Sequence, residues 1–90
     1  MKAYLMPIYD NAKSFNNKAI IIKDNNESVK LESYNTLVAE VWPMKNFELK
    51  IYNCQSVTTV RHINEFIRQY APFKSRMTKK QMEAIKTVKQ

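Results

Sequence analysis

The sequence predicts an α+β domain: an antiparallel four-stranded meander over about residues 18–52, followed by two C-terminal helices packed on one sheet face. Three observations predict it. Apolar residues alternate with period two through four successive runs, the connections between those runs are short, and the period then changes to 3.6. Ninety residues make one domain rather than two. A chain of this size buries only about 60% of its unfolded surface, so one modest core must serve all of it. A hydrophobic fraction of 44%, with one Trp, five Tyr and four Phe, is that of a folded chain.

The first strand is the β-branched run Lys18-Ala19-Ile20-Ile21-Ile22-Lys23, ended by the polar cluster Asp24-Asn25-Asn26-Glu27. Val29 and Leu31 alternate with Lys30 and Glu32 in the second. Tyr34-Asn35-Thr36 breaks the chain, and Asn35 is the candidate for a positive φ, since Asn tolerates the left-handed region best after glycine. Leu37, Ala39 and Val41 then share one face of a third strand, with Val38, Glu40 and Trp42 on the other. Pro43-Met44-Lys45-Asn46 makes the next turn. Phe47, Leu49 and Ile51 alternate with Glu48, Lys50 and Tyr52 in a fourth strand. Short connections make the neighbours antiparallel, because a parallel crossover needs about a dozen residues or more.

Val60, Ile63, Phe66, Ile67 and Tyr70 fall on one helical stripe, which Arg61, Asn64, Glu65 and Arg68 do not join. Ser56, Thr58 and Thr59 offer capping hydroxyls and Pro72 bars continuation, so the first helix covers about 58–70. Thr78-Lys79-Lys80-Gln81 has the form of a capping box, with Met77 and Met82 at the two staple positions. A second helix over about 79–89 carries only the narrow seam Met82, Ile85 and Val88, too thin to fold without the domain or a partner.

Several function classes fall away at once. The chain has no glycine, and Gly-rich phosphate loops need backbone without Cβ. Its single Cys54 excludes a disulfide framework and a Cys-rich zinc site, and fits a reducing compartment. The apolar stretch Tyr4–Tyr9 is six residues interrupted by Pro7. That is shorter than the ~7–15 of a signal-peptide core and far below the ~20 of a membrane span, so a soluble, cytoplasmic protein is expected. Twelve Lys, nine Asn and eight Ile beside three Arg are the usage of an AT-rich coding sequence, which lowers the weight of any one lysine.

The net charge of +7 is unevenly placed. Residues 1–60 carry seven basic and six acidic groups, whereas residues 61–90 carry eight basic and two acidic, a net of +6. Such asymmetry points to a polyanion or an acidic protein surface. The basic candidates are Arg61, Arg68, Lys74, Arg76, Lys79, Lys80 and Lys86. Lys79 and Lys80 stand in the first helical turn, where the macrodipole disfavours cations by ~0.3–1 kcal/mol each. A phosphate docked there meets amides and cations together; equally, exposed lysines make a solvated face.

His62 and Glu65 share a helix face three residues apart, but no further metal ligands stand at a useful spacing, and one His without an acidic pair makes a poor active site. Packing or capping by His62 is the expectation, and no catalysis, cofactor or metal is expected. Tyr34, Trp42 and Tyr52 near Lys30 and Lys50 are candidates to stack single-stranded bases; the alternative is that they pack beneath other elements. Neither helix is long enough for a coiled coil. About seven residues between the helices is too many for a helix-turn-helix.

Three stretches carry a resemblance: Lys13–Ala19, Ser33–Glu40 and Ser56–Gln69, the last containing Ser-x-Thr-Thr-x-Arg-His-Ile-x-Glu-Phe. Over about residues 13–85 the chain resembles a family of short proteins carried by phages and plasmids of low-GC Gram-positive bacteria. The resemblance implies a small accessory protein in a bacterial host cell that works by binding, often to nucleic acid or to a defence complex that handles it, as anti-CRISPR proteins do. It assigns no chemistry to Arg61 or His62. The chain is basic, unlike the acidic inhibitors that mimic DNA.

The reading is therefore a non-catalytic accessory protein that inhibits or modulates a host nucleic-acid-handling complex through a basic C-terminal helical surface. Direct binding of DNA or RNA is the alternative. A homo-oligomer built on a sheet edge or on the Met82/Ile85/Val88 seam is a third possibility, and no membrane partner is expected.

Overall fold

The computed structural model describes residues 1–23, 26–72 and 74–86. Five antiparallel strands run in sequence order: β1 (Lys2–Tyr4), β2 (Ala19–Ile22), β3 (Val29–Ser33), β4 (Thr36–Trp42) and β5 (Glu48–Ile51). Two helices follow, α1 (Val57–Tyr70) and α2 (Lys79–Ile85). The α+β class and the antiparallel meander agree with the sequence, but the sheet has a fifth strand. β1 is three exposed residues, too short to show an alternation. It is held by backbone pairing with β2, extended by Leu5 N–H to Ala19 O at 2.9 Å and Lys23 N–H to Met1 O at 2.9 Å. Leu5, just beyond it, anchors the strand in the core.

Ala19, Ile21, Val29, Leu31, Ala39, Val41 and Ile51 build one sheet face, and Ile63, Phe66 and Ile67 of α1 close the core over it. The expected alternation in β4 fails at one place. The β3–β4 register skips a residue, so that Leu31 pairs with Ala39 but Glu32 pairs with Leu37. Val38 is the additional residue of a bulge, and both Tyr52 and Asn53 donate their N–H to its carbonyl. Leu37 is thereby moved to the face opposite Ala39 and Val41. On that opposite face Lys30, Glu40 and Lys50 lie across three strands, a row of alternating charge.

A chain without glycine has to make its tight turns with other residues. Among the described residues it does so with three left-handed pairs, Asn16-Asn17, Tyr34-Asn35 and Asn46-Phe47, all with φ between 52° and 65°. Asn35 is where the sequence places it. Tyr34 shares its two-residue hairpin between the paired residues Ser33 and Thr36, in the manner of a type I′ turn. Each left-handed non-glycine residue costs about 1 kcal/mol or more, a cost the surrounding packing offsets. Tyr34 is held by stacking on His62, with ring centroids 5.9 Å apart, and Phe47 packs against the core. The 43–46 turn is a short 3₁₀ helix, Pro43–Lys45, capped by left-handed Asn46.

α1 starts at Ser56, whose Oγ accepts from Thr59 N–H at 3.0 Å. It runs one residue earlier than expected and ends before Pro72. α2 has the capping box its sequence announces: Thr78 Oγ1 accepts from Gln81 N–H, and Gln81 Oε1 accepts from Thr78 N–H. Met82 is fully buried and Met77 packs against the same core, as the staple positions require. α2 lies against β5, and the residue after it, Lys86, bridges to Ile51 on that strand. The helix ends at Ile85 rather than about 89; Val88, the last residue of the expected seam, lies outside the described residues.

The largest departure concerns α1 itself. Asn64 and Glu65, which lie off the apolar stripe, are 8% and 2% exposed. The chain between β1 and β2 passes over the helix on that side, so α1 is covered by the sheet on one side and by residues 5–15 on another. No helix among the described residues is long and apolar enough to cross a membrane.

Candidate functional site

On the outer side of α1, Arg61, Asn64, Glu65 and Arg68 stand at i, i+3, i+4 and i+7, a polar stripe beside the apolar one. Its two central members are structural. Glu65 accepts from the backbone N–H groups of Tyr9 (3.0 Å) and Asp10 (2.9 Å) and from Gln69 Nε2. Gln69 in turn donates to the Met6 carbonyl at 2.8 Å. Asn64 makes a reciprocal pair with Met77, donating from Nδ2 to its carbonyl and accepting its N–H at Oδ1, both at 2.8 Å. Two adjacent side chains therefore dock two distant segments on one helix.

Between those segments lies a cleft lined by Tyr9, Asp10, Asn11, Val57, Arg61, Asn64, Glu65, Arg68 and Arg76. It opens beside a more apolar groove bordered by Val57, Val60, Met77 and Lys79. Arg61 grips Asp10 with both arms of its guanidinium, Nε to Oδ2 at 3.1 Å and Nη2 to Oδ1. Asp10 Oδ1 also accepts from Ala12 N–H, a local turn that holds the carboxylate in place. Its pKa is lowered chiefly by the Arg61 hydrogen bond, and the charge of Arg76 contributes. Arg68 sits over the Tyr9 ring, 4.6 Å from its centroid, a cation–π contact.

The structure thus brings together Arg61, Arg68 and Arg76, with Lys79 in the adjoining groove. The other basic candidates stand apart from the cleft. Lys74 lines a separate hollow with Pro43, Met44, Asn46 and Phe47, and Lys80 and Lys86 are exposed on and just after α2. The capping box takes up the Thr78 and Gln81 amides at the start of α2. Asp10, Tyr9 and Asn11 were not legible as site residues. The available signal was the scarcity of Arg: the chain has three, and all three line this cleft.

The three candidate stacking rings are not one platform. Tyr34 stacks on His62 on the helix side of the sheet. Trp42 and Tyr52 belong to the opposite face. Lys50 Nζ lies 5.2 Å from the Trp42 ring centroid, and Tyr52 donates to Glu40 Oε1 at 2.9 Å. Burial and the Glu40 carboxylate push the Tyr52 phenol up to about 12. Glu40 also accepts from Ser28, which is how a carboxylate is buried on the face away from α1.

His62 is packed as expected. Its Nδ1 lies 2.9 Å from Ser33 Oγ, which meets Thr59 Oγ1 at 3.2 Å, and Ser56 Oγ donates to Thr59 Oγ1 at 2.9 Å. This chain, exposed at Ser56 and buried from Thr59 to His62 and Ser33, gives the Ser-x-Thr-Thr-x-Arg-His stretch its physical sense: it caps α1 and ties the helix start to β3. Phe15 lies against the ring, 4.6 Å between centroids. Burial lowers the His62 pKa, so the ring is neutral. Burial pushes the Cys54 thiol up, which leaves it protonated and unreactive. Among the described residues no three His, Cys, Asp or Glu side chains are grouped to hold a metal ion.

No curated protein and no solved structure matches this chain. A family model does, over residues 3–84, a span from β1 to α2 that includes both walls of the cleft. The chain belongs to that family, the family of unknown function DUF8033.

Proposed function

We propose that this is a non-catalytic accessory protein that binds an anionic partner through the basic side of α1 and the 76–80 segment, and in doing so inhibits or modulates a host nucleic-acid-handling complex. One observation carries the reading: the chain's three arginines, Arg61 and Arg68 from α1 and Arg76 from the loop before α2, line one cleft, with Lys79 in the adjoining groove. A surface that served solubility alone has no need to converge. The setting, a phage- or plasmid-borne protein of anti-defence type such as an anti-CRISPR, rests on the resemblance of residues 13–85. The chemistry of the chain supports binding rather than catalysis, because the buried histidine is held neutral in a structural hydrogen-bond chain.

The test is capture of partners from a nuclease-treated host lysate by the wild type and by a variant carrying Arg76→Glu, Lys79→Glu and Lys80→Glu. A protein complex retained by the wild type and lost by the variant is the expected result. If instead nothing is captured, and purified protein shifts DNA or RNA with an affinity that falls steeply with salt, the protein acts on nucleic acid directly. If no protein complex is captured and no DNA or RNA is shifted even at low salt, the binding reading fails.

A further inference from the structure

We propose that the three-arginine cleft is a carboxylate-reading site whose occupant is an acidic segment of a protein partner, with apolar side chains entering the adjoining groove. The inference rests on the binding reading above and narrows it to one site and one partner chemistry.

Residue choice is the first argument. Twelve of the fifteen cations are lysines, yet among the described residues no lysine lines the cleft and every arginine does. Arginine differs from lysine in presenting a planar fork that matches a carboxylate or phosphate with two parallel hydrogen bonds. A surface that needed only positive potential is served by the lysines this sequence favours.

The second argument is that a carboxylate already sits in the cleft. Asp10 is held by both arms of Arg61, which shows the geometry the site uses for its ligand. Arg68 lies over the Tyr9 ring, and Arg76 makes no hydrogen bond or ion pair among the described residues. Two forks are therefore open beside one that is filled.

The third argument selects between anions. The cleft contains Asp10 and Glu65 as well as the arginines, so its own charge is close to balanced. A nucleic-acid backbone, with a phosphate at every step, favours a continuous track of lysine and arginine, which the interspersed carboxylates break. Separate carboxylates on a polypeptide suit two discrete forks. The adjoining groove strengthens this choice, since Val57 is 74% exposed and Val60 and Met77 offer further apolar surface. Phosphate chains have nothing to place there; a leucine between glutamates does.

The chain has three arginine side-chain Nε–Hε groups, so uniformly ¹⁵N-labelled protein reports on the site directly. The probe is a synthetic extended peptide with glutamates flanking leucines, compared with its Glu→Gln counterpart and with single- and double-stranded oligonucleotides. We expect the acidic peptide to move the Arg68 and Arg76 signals saturably, and its Gln counterpart to leave them in place. Arg68→Lys and Arg76→Lys, which keep the charge and lose the fork, should each weaken the peptide at least tenfold with an unchanged melting temperature. Asp10→Asn, which frees the third fork, should tighten it several-fold. The proposal is overturned if the peptide produces no saturable shift, if the lysine variants bind equally well, or if the oligonucleotides alone move these signals. Should Lys79→Glu with Lys80→Glu abolish host-partner capture while the Arg→Lys variants retain it, the cleft assignment fails and the broader basic-surface reading stands. If neither set alters capture, both fail.

Discussion

Asn64 and Glu65 are neighbours on one helix, both nearly buried, and each docks a segment remote in sequence; they do so with different chemistry. Glu65 is an acceptor that collects N–H groups from Tyr9, Asp10 and Gln69, so it holds the N-terminal segment by charge-assisted bonds. Asn64 is a neutral amide that both donates to and accepts from Met77, the way one strand meets another. The carboxylate tolerates several donors at once and suits an irregular segment. The amide demands one partner in one orientation, and it fixes where α2 begins. Together they set the width of the cleft that Arg61 and Arg68 flank. Polar side chains on an outward helix face are here the framework, and the arginines beside them are what the framework presents.

Removing each clamp separates the two roles. Glu65→Ala strands two backbone N–H groups and is expected to cost about 3 kcal/mol, a fall of more than ~10 °C in melting temperature. Hydrogen exchange should then speed at Tyr9 and Asp10 while Met77 stays protected. Asn64→Ala removes two neutral bonds and should cost about 2 kcal/mol, with the exchange pattern reversed. Equal loss of protection at both segments in either variant would show that the clamps are one cooperative unit rather than two.

The sheet side of α1 offers a pH comparison. His62 is held neutral with its pKa lowered, so the unfolded chain takes up the proton more readily than the fold. Stability from this group is complete above the unfolded histidine value of ~6.5 and declines as pH falls below it. His62→Gln should flatten that decline, measured as melting temperature between pH 7.5 and 5; an unchanged slope would assign it to other groups. The smallest effect is expected at the exposed Asp10–Arg61 pair. Asp10→Asn should move the melting temperature by no more than a few degrees, because exposed ion pairs contribute little. The wild-type contribution is present above the ordinary carboxylate pKa and lost as pH falls through the lowered Asp10 value. A large loss would make the pair structural.

Most of the strands and both helices were legible because each buries one face, and burial imposes a period. What escaped notice lacks a period. β1 is three residues whose side chains stay exposed, so its pairing is written only in backbone hydrogen bonds. The Val38 bulge reverses an alternation that reads cleanly on either side of it. Asn64 and Glu65 carry no sign in their residue type that a distant segment covers them; the same letters on a bare helix are solvated. The turns show the opposite case. With no glycine available, Asn35 was recognisable as left-handed, whereas Tyr34, stacked on His62, and Phe47, packed against the core, hold that geometry with no sign of it in their residue type. The basic residues were legible as a group, and their sorting into a cleft of arginines and a periphery of lysines required the fold.

The central claim is that the arginines of this cleft are there to be bound rather than to hold the fold. It is tested most directly by the dissociation constant of the acidic peptide at one fixed ionic strength, for the wild type and for Arg68→Lys/Arg76→Lys. The account predicts affinity weakened well beyond tenfold with the melting temperature unchanged. Undiminished affinity, or a double variant that melts many degrees lower, contradicts it.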